Sequence, residues 1–414
     1  MLKEPLLHII PIEELMESSI ASFQKEKTFS SDKFKKIPLW KKLLHERQLK
    51  KQLSNLLDEL EPYVPEIRDH IESRSETSFP AQKEVKTLLV EFLQEMDKRK
   101  LLFDQPFLNY FISQGYMDVA EEFLFRARKE DTGLTDQEIF QALRNVWIMN
   151  SLQLYWDIPL QLTTPMYAYS MLYPYTDNLL DDPDINDRTK HEFNHRLAKV
   201  LSGETVVSNQ ITEKRIFSLV EQIKSHYPEV THPEVSESIQ LIHKAQVESL
   251  LQGKTEQLTE EEILTISFFK GGTSVLADAY LIKGNLTEKE MDFAFQYGAI
   301  LQLLDDLQDK KEDEASHNQT LFSIKNTQES NDKEIRRLIS YIFSVNIENA
   351  SDNQNTTLMK EVISQCTLLM VMQAVGDSPE IVSRSLYKEL ESYSKVRLTF
   401  YNELQNKMKV FLEQ

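Results

Sequence analysis

Glycine is the first shortage in this chain: 9 residues in 414, about 2%, where globular domains carry about 7%. Strand-like alternation bounded by Asn-Gly or Asp-Gly turns is also missing, which argues against hairpin-built β architecture. Cys366 is the only cysteine, so no intramolecular disulfide can form. No run of 18 apolar residues occurs, so no segment reads as membrane-spanning. The acidic start, with Glu4, Glu13, Glu14 and Glu17, is unlike a signal peptide. Positive charge is short as well: 47 Lys and Arg against 66 Asp and Glu leave a formal net charge of −19. That sign argues against a polyanionic partner such as nucleic acid or an anionic membrane surface. The expectation is a cytoplasmic protein in which any phosphorylated ligand is met by metal ions or by local lysine and arginine.

What is present is helical. Long Leu/Glu/Lys/Gln segments carry apolar residues every three or four positions, and 414 residues can bury a large core. Residues 1–130 read as a Lys/Glu-rich helical extension with amphipathic segments near 45–60, 82–99 and 105–128, packed on a main body over 131–414. A helix follows Thr135, with Ile139, Leu143, Val146, Trp147 and Leu154 on related faces. Another starts near Pro165, bends at Pro174 and stops before Pro183. Thr259 with Glu262, and Thr287 with Glu290, match the capping box. They predict helices to about Lys283 and through Asp309, joined too tightly to be anything but antiparallel neighbours, with Gly298 permitting close approach. The polar stretch 310–332 predicts a mobile loop. Helix resumes to the end, broken around 346–355 and 376–379.

Two acidic runs, 128 positions apart, sit in these helices: Asp177-Asn178-Leu179-Leu180-Asp181-Asp182, and Asp305-Asp306 followed by Asp309 and Asp313. At 3.6 residues per turn Asp177 and Asp181 share a face, as do Asp305, Asp309 and Asp313. Each like-charge i,i+4 pair costs roughly 0.2–0.5 kcal/mol on an exposed helix, a cost that a bound cation removes. Hard divalent cations such as Mg²⁺ take one or two carboxylates plus substrate phosphates. Two facing carboxylate helices could therefore grip a diphosphate through bridging metals. The plainer alternative is a pair of solvated acidic faces.

The stretch GAILQLLDDLQDKKED (298–313) resembles the second aspartate motif of the all-α isoprenoid synthases. It is similar to the FQxxDDxxD of trans-prenyl diphosphate synthases and the DNxxDxxED of squalene and phytoene synthases. DNLLDD resembles the first acidic motif of the head-to-head synthases, with Leu180 replacing a glutamate, and that of bacterial large-terpene synthases. Lys270 and Thr273 resemble the Lys-Thr element that contacts diphosphate, Gln246 sits where those enzymes carry a pocket-facing glutamine, and Gln302 lies one turn before Asp306. Arg397 and Tyr401 are similar to the arginine-tyrosine pair of terpene cyclases. No Gly-Gly-Lys-x-x-Arg or Arg-Arg-Gly element accompanies these, so chain elongation is not the first expectation.

The resemblance implies an all-α isoprenoid synthase bundle with a central cavity. It implies an enzyme that ionises an allylic prenyl diphosphate with more than one Mg²⁺, to give a terpene or a condensed prenyl product. Asp177, Asp181, Asp182, Asp305, Asp306, Asp309 and Asp313 would hold metal, and Lys270, Thr273, Gln246, Gln302, Arg397 and Tyr401 would contact substrate. A homodimer is compatible with it. Tyr167, Tyr169, Tyr173, Phe268, Phe269 and Tyr297 are candidates to shield a carbocation, each more often plain core. His191 and His195 share a helix face, where a surface role outweighs a metal site. A non-catalytic helical scaffold of the same fold is the competing reading.

Overall fold

Three threonines start the central helices. Thr135, Thr259 and Thr287 each accept a hydrogen bond from the backbone N–H three residues on, and each threonine N–H donates in turn to the carboxylate of Glu138, Glu262 or Glu290. Two orphan donors are satisfied at each start. The computed structural model describes residues 9–26, 34–66, 81–181, 185–254, 256–325, 327–348 and 354–413. Among them there is no strand, and the all-α expectation holds.

In chain order the α-helices are α1 (Ile12–Lys25), α2 (Leu39–Leu60), α3 (Gln82–Lys98), α4 (Phe107–Ser113), α5 (Tyr116–Glu130) and α6 (Asp136–Tyr155). Next come α7 (Thr164–Asp181), α8 (Asp187–Leu201), α9 (Ile211–His226), α10 (Pro233–Ser249), α11 (Glu260–Lys283) and α12 (Glu288–Gln308). The chain continues through α13 (Lys310–Ser316), α14 (Gln328–Glu348), α15 (Gln354–Asp377), α16 (Arg384–Tyr393) and α17 (Thr399–Glu413). Pro174 lies inside α7 without ending it.

The centre of the bundle is the pair α11 and α12, buried on all sides as apolar helices deep in a core are. They touch where Gly271 meets Gly298: a Cβ at Gly298 would run into the Gly271 carbonyl oxygen. α7 and α10 pack against this pair or its neighbours, and α6, α14 and α15 close the other sides. By length and composition Asn355–Asp377 could cross a membrane. In the bundle it is packed against α6, α12 and α14.

Phe23 of α1 is fully buried in the main core, 5.7 Å from the Phe268 ring and 5.6 Å from Tyr341. Only the contact of α2 and α3 with the C-terminal turn forms a separate small core, built on Leu49, Met96, Leu101, Val396 and Phe400. The polar stretch expected to be mobile begins instead with α13 and is pinned by a buried cation. The Lys310 ammonium donates to the Phe322 carbonyl (2.7 Å), the Lys325 carbonyl (3.3 Å) and Glu314 (2.5 Å). Sequence polarity here reflects satisfied internal bonds. The break expected around 346–355 falls largely outside the described residues.

Phe23→Ala should lower the unfolding free energy by about 3–5 kcal/mol, the range for a truncated core aromatic. Urea denaturation measures it, and a loss under about 1 kcal/mol would make α1 a detachable appendage.

Candidate functional site

Hydrogen bonds fix the register of three helices. The Tyr173 and Ser274 hydroxyls are bonded at 2.7 Å, and Asn145 Nδ2 donates to both Ser170 Oγ and Asp278 Oδ1 at 3.1 Å. α7 therefore runs antiparallel to α11, and four residues beyond Tyr173, roughly 6 Å along the axis, bring the backbone of Asp177 level with that of Lys270. On the other flank Ser267 Oγ donates to Asp306 Oδ2 at 3.0 Å, four residues from the Gly271–Gly298 contact. The C-terminal turns of α7 and α12, carrying the two acidic runs, thus lie at the same end of α11. The side chains of Asp177 and Asp181, and all of Asp182, lie outside the described residues.

The second run divides into two open and two committed carboxylates. Asp305 is exposed. Desolvation raises its carboxyl above the usual range, against the fields of Lys270 and Arg144 that pull it down. Asp309, one turn on and exposed, is pushed up to about 6 by desolvation and then by the charges of Asp305, Asp313 and Glu312. Asp306 is buried and pushed up to about 7, chiefly by that burial. Its oxygens accept from Ser267 and, at 2.8 Å, from Gln302 Nε2. Asp313 accepts from Asn318 Nδ2 (2.8 Å) and Thr320 Oγ1 (3.0 Å) and so folds the following turn.

Chemically, Asp305 and Asp309 form a carboxylate pair whose mutual repulsion a divalent cation would relieve. Lys270 and Arg144 put positive field on the same spot, as phosphate oxygens require. Among the described residues no three His, Cys, Asp or Glu side chains gather at metal-ligand spacing.

Several residues expected to contact substrate have partners within the protein. Thr273 is buried, and its hydroxyl donates into its own helix, to the Phe269 carbonyl (2.6 Å) and the Lys270 carbonyl (3.3 Å), so it faces no diphosphate. Arg397 precedes α17 and grips Glu46 of α2 through Nε (2.9 Å) and Nη2 (2.6 Å), while the Tyr401 hydroxyl bonds Ser394 at 3.1 Å. That pair ties the two ends of the chain together and leaves no guanidinium for substrate. Asp306, Asp313 and Gln302 are occupied with one another or with their own turn, and act as positioning groups. Gln246 does line a cavity beside α7, with Tyr173, Thr176 and His243, but its 40 Å³ holds water, not a prenyl chain. Phe268 belongs to the core, and Tyr167 stacks under Arg126 at 3.8 Å. His191 and His195 are exposed on α8.

Arg144 and Asp278 escaped the sequence reading, although a signal existed for each. Arg144 is the sole cation in the 20 residues of α6, and Asp278 is, with Lys270, one of two charges in the apolar stretch 263–282. Asp278 is buried at 0% exposure, accepts from Asn145, and is driven toward its neutral form by desolvation.

Asp306 offers a pH test. Its folded pKa is raised above the unfolded value near 3.8, so it favours the folded state in acid and opposes it as pH climbs toward about 7. In chelator, Asp306→Asn should therefore be more stable than wild type at pH 8, by a few kcal/mol, and the advantage should shrink to nothing by about pH 4. Paired urea titrations at the two pH values decide it; a constant difference would show that Asp306 ionises freely in the native state. No family model and no curated protein matches this sequence. Among solved structures the chain is similar to a decaprenyl diphosphate synthase from Rhodobacter capsulatus, 12% identical over 87% of this chain and 98% of that one, with a TM-score of 0.27.

Proposed function

We propose that this chain is an Mg²⁺-dependent class I isoprenoid synthase that ionises an allylic prenyl diphosphate, giving a terpene or a condensed prenyl product. The observation that carries the reading is one end of the bundle, where the open pair Asp305 and Asp309 shares its electrostatic field with Lys270 and Arg144 beside the acidic end of α7. A cluster that mixes raised carboxyls with two cations suits a ligand carrying both charges, a metal diphosphate.

In this proposal Asp305 and Asp309 bind metal from α12, and Asp177, Asp181 and Asp182 do so from α7. Bound there, Mg²⁺ supplies Lewis-acid neutralisation of the departing diphosphate. Lys270 and Arg144 orient diphosphate oxygens by charge. Asp306, clamped between Ser267 and Gln302, locks the end of α12 so that its open neighbours keep their aim. The apolar lengths of α11 and α12 beyond the acidic end would exclude water from a carbocation. A cytoplasmic location and a homodimer belong to the same proposal.

The internal bonding of Asp306 and Asp313 is the observation that favours a non-catalytic scaffold instead. Incubating the protein with Mg²⁺ and farnesyl, geranylgeranyl or longer diphosphates, with and without isopentenyl diphosphate, separates the two by diphosphate release. Asp305→Asn should cut turnover by at least ~100-fold with helicity unchanged, and Arg144→Ala should raise KM, whereas Thr273→Val should leave both near wild type. Silence of the wild type with every chain length would assign the scaffold role.

A further inference from the structure

A second cavity shares no lining residue with the acidic motifs and has a chemistry of its own. It measures 610 Å³ and opens between the start of α2, the turn after α3, the outer side of α15 and the turn leading into α17. That volume falls in the range of small-molecule pockets, about 300–1,000 Å³. Its walls mix apolar and polar groups, with Leu101, Phe107, Phe343, Leu368, Met372 and Val396 on the apolar side. Five of these six are at most 4% exposed.

The rim is basic. Lys35, Lys36 and Lys41 border the cavity and are exposed to solvent. Lys395 also reaches it but is spent internally, its ammonium donating to the Lys100 carbonyl (2.8 Å) and to Asp104 Oδ1 (2.6 Å). With that pair neutralised, three lysines oppose the single acid Glu361, a positive mouth on a chain of net charge −19. Trp40 lines the same mouth at 69% exposure, flanked by Leu39 at 57%. An exposed indole beside lysines, over a hollow with an apolar wall, matches a ligand with one charged end and one oily end.

We propose that this cavity binds a single-chain anionic amphiphile, a monomeric alkyl or isoprenyl phosphate, with its head among Lys35, Lys36 and Lys41 and its chain against α15. The site does not depend on the isoprenoid synthase reading. Low-salt vicinity of the three lysines draws the head in, and burial of the chain supplies most of the affinity. Free inorganic phosphate shares the head and an anionic bilayer shares both ends, so each is an arm of the test.

The full chain is titrated calorimetrically in chelator with dodecyl phosphate below its micelle concentration, with inorganic phosphate, with dodecanol, and with phosphatidylglycerol vesicles. Dodecyl phosphate should bind one per chain, at least tenfold tighter than inorganic phosphate or dodecanol. Lys36→Glu with Lys41→Glu, both at exposed positions, should weaken it tenfold or more, and Leu369→Trp, which fills the hollow, should do the same. Asp305→Asn should leave the affinity unchanged whether or not it abolishes turnover. Absence of dodecyl phosphate binding, equal binding of dodecanol, indifference to the charge reversals, or vesicle binding without monomer binding would each overturn the assignment.

Discussion

The contact of two backbones at Gly271 and Gly298 governs the rest of the molecule. Two long helices that are apolar on every side normally keep 8–10 Å between axes because side chains intervene. Where both partners lack a Cβ the axes close further, and one helix can read the other through short polar side chains. Ser267 reaches Asp306 only because the crossing is this tight. That bond, with the one from Gln302, sets the rotation of the last turns of α12, and the rotation decides which carboxylates face water. A packing constraint in the core is thereby translated into the charge pattern of a surface.

Charge is distributed unevenly in consequence. At the end of α12, desolvation and mutual repulsion raise the proton affinity of Asp305, Asp306 and Asp309, tempered by Lys270 and Arg144. Just before and within the start of α2, Lys35, Lys36 and Lys41 form a region of the other sign around a hollow. The net charge of the chain describes neither place. A small anion senses only the field within a Debye length, so the local charge decides where one could bind.

The helices were legible because their starts are written locally: a threonine and a glutamate three residues apart suffice, and the bonds at Thr259 and Thr287 form as the letters suggest. The antiparallel neighbours followed from a link of a few residues. The same local reading failed wherever a side chain had two uses. Arg397 and Tyr401 have motif spacing, but spacing says nothing of Glu46, which stands 351 residues away and takes the guanidinium. Thr273 was read as a ligand, although a helical threonine can return its hydroxyl to its own backbone. The 310–332 stretch looked mobile because polarity resembles solvation until a buried lysine is seen collecting carbonyls. Arg144 was visible as the lone cation of its helix, and was passed over because its partners lie on another helix.

Phe23 carries a consequence for biosynthesis. Its ring packs against Phe268 and Tyr341, which leave the ribosome much later, Tyr341 being 318 positions downstream. At a translation rate of about 5–20 residues per second, α1 waits on the order of 15–60 s for its seat. Through that interval the nascent chain holds out an oily helix face with nothing to cover it, and holdase chaperones are the natural shelter for such a segment.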